Sequence, residues 1–95
     1  MQFLYVSRRR TESFTDADFA ARSEAETKQA RVLYAEGFIR QIWSRGDMPG
    51  VCMLVESDSE EHVRETLDTL PMVRAGMIEV TIIPVKAYGG FYRTS

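Results

Sequence analysis

Apolar positions in this chain alternate with period two in four stretches and recur at helical spacing in two. Residues 2–8, QFLYVSR, place Leu4 and Val6 on one strand face and Phe3, Tyr5 and Ser7 on the other. Both faces are largely apolar, which predicts a strand covered on both sides. A helix opens at Thr15 or Asp16, with Asp16 and Asp18 suited to its first turn, and runs to Ala35 or Glu36 before Gly37 stops it. At 100° per residue Phe19, Ser23, Glu26, Ala30, Leu33 and Tyr34 share one face of it. FIRQIWSR, residues 38–45, reads as a strand with Ile39, Gln41 and Trp43 on one face and Phe38, Arg40 and Ile42 on the other. Turn chemistry from Gly46 to Gly50 then predicts a hairpin to VCMLVES, residues 51–57. Ser57-x-x-Glu60 reads as a capping box for a second helix, with Val63, Leu67 and Leu70 as its buried stripe and Pro71 as its end. The last strand, residues 77–88, carries Pro84, which argues for an edge or a bulge. Residues 89–95 form a tail, either loose or lying across a partner subunit.

The order β-α-β-β-α-β is the ferredoxin-like α+β plan: a four-stranded antiparallel sheet with two helices on one face, one domain over residues 1–95. Such a plan leaves the second sheet face uncovered, and Phe3, Tyr5, Ile39 and Trp43 are expected on it. A bare apolar face of that size predicts a second copy packed against it, a homodimer or larger assembly whose sheets enclose a shared cavity.

Composition narrows the function classes. The hydrophobic share of 44% and charged share of 27% are ordinary for a globular chain, and the net charge of −2 gives no footprint for nucleic acid or an anionic membrane. Apolar runs are too short for a membrane span or signal peptide, so a cytoplasmic protein is expected. No dinucleotide fingerprint, P-loop or metal-ligand spacing occurs, and Cys52 is alone, so no cofactor and no metal is expected.

The candidate chemistry centres on Glu26, a carboxylate inside an apolar helix stripe. There it is either a general base, its pKa lifted by desolvation for removing a proton next to a carbonyl, or a structural carboxylate paired with Arg40 or another arginine. Arg40 has the matching pair of roles: holding a carbonyl or carboxylate oxygen of a small-molecule substrate, or neutralising Glu26. Trp43 is either a packing residue or an apolar wall for a planar ring. Tyr5 and Tyr34 are core or rim residues, or donors to an enolate oxygen. His62 is expected in solvent, Cys52 as an inert core thiol, and Arg8 to Arg10 as a solvated strand end or a rim for an anionic substrate.

Glu26, Gly37-x-x-Arg40-x-x-Trp43, Val55-Glu56-Ser57, Leu70-Pro71 and Ile78-Glu79-Val80-Thr81, in this order and spacing, resemble the muconolactone isomerase family. The resemblance implies a dimeric α+β barrel, sometimes built into larger rings. It also implies cofactor-free isomerisation of an unsaturated five-membered lactone in aromatic catabolism, with Glu26 and Arg40 catalytic. Ser7 and Gln41 would join Trp43, Tyr5 and Tyr34 at the substrate. Ser44 stands where such isomerases usually carry a second basic residue, Gln41 where histidine is frequent, and Ser7 about where a cation is expected. Those departures point toward a less anionic substrate and keep other activities of the scaffold open: cyclase, cofactor-free monooxygenase or natural-product tailoring enzyme. A non-catalytic ligand-binding or oligomer-forming module is the remaining alternative.

Overall fold

In the structure, a computed structural model describing residues 1–92, the chain runs β1 (Gln2–Arg9), α1 (Asp16–Ala35), β2 (Ile39–Ser44), β3 (Val51–Glu56), α2 (Glu60–Leu67), α3 (Pro71–Arg74) and β4 (Ile78–Val85). The strands form one sheet in the order β2-β3-β1-β4, every pair antiparallel, with the helices on one face. This is the ferredoxin-like α+β arrangement. A 3₁₀ turn, Gly89–Tyr92, follows β4, and its Phe91 ring lies edge-on to Tyr88 with centroids 4.8 Å apart. The rest of the tail lies outside the described residues.

Local chemistry sets the boundaries of α1. The Thr15 hydroxyl accepts from the Asp18 N–H at 3.2 Å while the Asp18 carboxylate accepts from the Thr15 N–H at 2.8 Å, a reciprocal cap. Gly37, at φ +86°, turns the chain out of the helix into β2. α2 is capped by Ser59, whose side chain accepts from the His62 N–H, rather than by Ser57. Ser57 is instead buried, its hydroxyl 2.6 Å from Nδ1 of the otherwise exposed His62. The second helix also stops at Leu67, short of the expected Leu70. Pro71 does not end a helix but starts one, at the first position of α3, where its missing N–H costs nothing.

The two sheet faces differ from expectation in one consequential way. Phe3 and Tyr5 of β1, Met53 and Val55 of β3 and Ile39 of β2 point toward the helices and form the core with Leu33, Phe38, Val63, Leu67 and Leu70. Phe3, Tyr5 and Ile39 are therefore not on the uncovered face. The register of β2 against β3 shifts between Ile39 and Gln41, so Arg40 bulges out and the alternation reverses after it. Ile39 stays in the core, whereas Trp43 lies on the uncovered face where it was expected, with Gln41 on the same side, opposite Cys52 and Leu54 respectively. The apolar part of that face is Leu4, Val6, Cys52, Leu54, Trp43, Ile83 and Val85, the last two on β4, an edge strand as its Pro84 requires.

Candidate functional site

α1 is anchored at its two ends. Near its start Phe19 packs on Met72 and Met77, and near its finish Leu33 joins the main core. They are the only fully buried residues of its 20. Between them Ser23, Glu26, Thr27 and Ala30 stand over a gap and roof a cleft of about 230 Å³. Its floor is the end of the sheet away from the Phe3 row: Tyr5 beside Met53, then Ser7 and Val51, then Arg9 and Ile78, with Ile42, Leu70 and Met72 closing the sides. The volume suits one small ring rather than an extended ligand.

Glu26 is half-buried in this roof. Its Oε1 accepts from the Met72 N–H at 2.9 Å. That N–H belongs to the first turn of α3, and Leu70, at the capping position, has no side-chain acceptor to offer. One carboxylate oxygen thus caps a neighbouring helix and the other is left to the cleft. Burial pushes the Glu26 carboxyl above its ordinary pKa, against the opposing pull of the Met72 N–H and of the Arg9 charge. The ion pair with Arg40, the alternative role for Glu26, does not form. Arg40, thrown out by the bulge, lies exposed at the other end of the molecule among Glu36, Glu56, Asp58 and His62.

Tyr5 lies under Glu26, 3% exposed. Burial above all, with the Glu26 charge, pushes its hydroxyl up to about 12 against the lowering influence of the Ser7 hydroxyl. It is therefore a neutral O–H donor at any physiological pH. Ser7 is fixed by two bonds to one residue: its hydroxyl accepts from the Val51 N–H at 3.0 Å and donates to the Val51 carbonyl at 3.2 Å. Gly50 next to it has no room for a side chain, since a Cβ there would collide with the Ser7 carbonyl oxygen. The Arg45 guanidinium bonds that same carbonyl at 3.2 Å and is otherwise held by Asp47.

The cleft unites Tyr5, Ser7 and Glu26 and leaves the other candidates outside. Trp43, 50% exposed, and Gln41 are on the opposite sheet face, so neither walls this cleft. Tyr34, 59% exposed, borders a shallow depression with Thr27, Ala30, Arg31 and Ile42. Two further contributors complete the cleft: Arg9, named in the sequence only within the Arg8–Arg10 strand end or anionic-substrate rim, and the Met72 N–H, which the sequence reading missed. Arg9 was legible, because the alternation that pairs Tyr5 with Ser7 continues to it. The Met72 N–H was not, since it depends on Pro71 opening a helix. Among the described residues no group of His, Cys, Asp or Glu is arranged to hold a metal ion, and no helix is long and apolar enough to cross a membrane.

Fold and cleft together define a small ferredoxin-like α+β domain with room for one small ring beside a carboxylate. The sequence profile of the muconolactone delta-isomerase family matches residues 1–89, and the chain belongs to that family. Among solved structures it resembles 5-chloro-2-hydroxyhydroquinone dehydrochlorinase from Burkholderia phenoliruptrix, determined in complex with 2,5-dihydroxybenzoquinone. That likeness has a TM-score of 0.75 at 19% identity, covering 95% of this chain and 98% of the other. No curated protein matches the chain by sequence.

Proposed function

We propose that this protein is a cofactor-free isomerase that moves a proton next to a carbonyl in a small cyclic, unsaturated lactone or related compound. The observation that carries this reading is the open cleft in which a desolvated carboxylate, Glu26, stands over a neutral phenol, Tyr5. Glu26 takes a proton from the carbon next to the carbonyl. The C–H electron pair becomes the C=C bond of an enolate, and the negative charge moves to the carbonyl oxygen. The Tyr5 O–H, held on a buried side chain, donates to that oxygen as the charge develops there. A proton is then delivered from the Glu26 carboxyl, which exchanges with water in the open cleft, to the far end of the conjugated system, so nothing is oxidised or reduced. A cleft open as far as Glu26 supports catalysis over a purely structural module, in which side chains would fill it.

The dehydrochlorinase likeness favours a second reading with the same first step. The carbanion beside the carbonyl would expel a leaving group instead of taking the proton back. Muconolactone in D₂O, followed by proton NMR, addresses both, since either requires the C–H to be broken. Wild-type protein is expected to drive deuterium into the lactone, and Glu26→Gln to slow this by about 10³-fold, within the range for a positioned base. Undiminished exchange in the variant would falsify the role of Glu26.

We propose further that the protein is a homodimer joined through the uncovered sheet face. Its support is the apolar surface of that face in one copy: Trp43, Ile83 and Val85 exposed, with half-buried Leu4, Val6 and Leu54 on the same side.

A further inference from the structure

The arginines near the cleft are not equivalent. Arg8 points to the uncovered face and is held by Glu12 and Glu79, each at 2.8 Å. Arg45 is held by Asp47 at 2.8 Å. Arg9 falls in step with Tyr5 and Ser7 on the helix side and is the one cation lining the cleft among the described residues. Its guanidinium lies over the Phe19 ring at 4.9 Å. Among the described residues no carboxylate comes within ion-pair distance of it. Stacking on a ring fixes the plane of a guanidinium while leaving its N–H edge free, the geometry suited to gripping an oxyanion in two places. Glu26 shares the cleft and feels the Arg9 charge, yet the two do not close on each other. A gap between a held cation and a carboxylate is where an anionic ligand oxygen can sit without facing Glu26 alone.

We propose that Arg9 is the specificity-determining residue of the cleft: it binds an anionic oxygen carried by the ring substrate and so presents the neighbouring C–H to Glu26. This rests on the reading of Glu26 as the base. Ser7 and Ser44 hold no charge, but Arg9, two residues beyond Ser7 on the same strand face, returns one to the cleft.

Benzoate and benzamide, nearly identical in shape and different in charge, test this by NMR titration of the Ser7, Val51 and Met72 amides. In the wild-type protein benzoate should bind about ten-fold or more tightly than benzamide, as expected for a charge-assisted pair. Arg9→Gln should level the two, and Arg8→Gln should leave the preference unchanged. Equal binding in the wild type, an undiminished preference in Arg9→Gln, or shifts mapping away from the cleft overturns the proposal. Should Arg9→Gln lose its folded spectrum, Arg9→Lys decides: a weakened preference supports the fork geometry and an unchanged one rejects it. Glu26→Gln should keep the benzoate preference whether or not it exchanges deuterium, so this result and the fate of the proposed base are read separately.

Discussion

Glu26 does two things with two oxygens, and substitutions can separate them. Glutamine keeps an oxygen acceptor for the Met72 N–H, whereas alanine leaves that first-turn donor unpaired. Glu26→Ala should therefore lower stability by about 1–2 kcal/mol in denaturant unfolding, and Glu26→Gln should not. The pH dependence has a definite sign. Because the folded-state pKa of Glu26 lies above its unfolded value, the native chain holds this proton longer than the unfolded one. Wild type should lose stability relative to Glu26→Gln as pH rises from the ordinary carboxylate range through the folded pKa, with the two converging in acid. Glu12, Asp18, Asp47 and Glu79 are shifted the other way, but they are common to both proteins and cancel. In catalysis the same shift places the acid limb of kcat/KM above the ordinary carboxylate range. Tyr5, held protonated up to about 12, adds no limb near neutrality. Tyr5→Phe should lower kcat by about 10²-fold with little change in KM, the pattern of a donor used chiefly in the transition state.

Among the elements, those that obey local rules were legible in the sequence, and those set by distant contacts were not. α1 could be bounded to a residue, because Thr15, Asp18 and Gly37 act through their own backbone neighbours. Thr15→Ala should cost about 1 kcal/mol, read as a lowered midpoint in thermal or denaturant unfolding. The bulge at Arg40 was invisible, because one extra residue in a strand leaves no mark on an apolar pattern already mixed on both faces. It was enough to put Trp43 and Gln41 on the sheet face opposite Tyr5 and Ser7. The split between α2 and α3 escaped for a related reason: proline fits the first turn of a helix as well as it ends one. Gly50 shows a third kind of information, carried by what is absent. A methyl group there meets the Ser7 carbonyl, so Gly50→Ala should cost about 1–3 kcal/mol and loosen the β1–β3 edge of the cleft. A drop in both midpoint and turnover checks this.

At the scale of the molecule, the cleft and the uncovered face lie on opposite sides of one sheet. Tyr5, Ser7 and Arg9 look toward α1, while Leu4 and Val6, from the same strand, look away. The strand serves both because each side takes alternate residues. Two consequences follow from that division. First, every group assigned to proton transfer comes from one chain, so the chemistry does not need a cavity enclosed between two sheets. Second, the uncovered face is free to be committed to assembly. Leu54 sits near its middle, between Leu4 and Gln41 across the ladder. A glutamate there would carry its charge into any interface the face makes, a cost an exposed site does not impose. Wild-type protein should thus run at twice the chain mass or more in light scattering at micromolar concentration, and Leu54→Glu should run as a single chain. The variant's far-UV circular dichroism should be unchanged, and its deuterium exchange should persist, because Glu26 and Tyr5 are untouched. A single-chain wild type would remove the dimer from this account, and a folded but inactive single-chain variant would show that the partner completes the site.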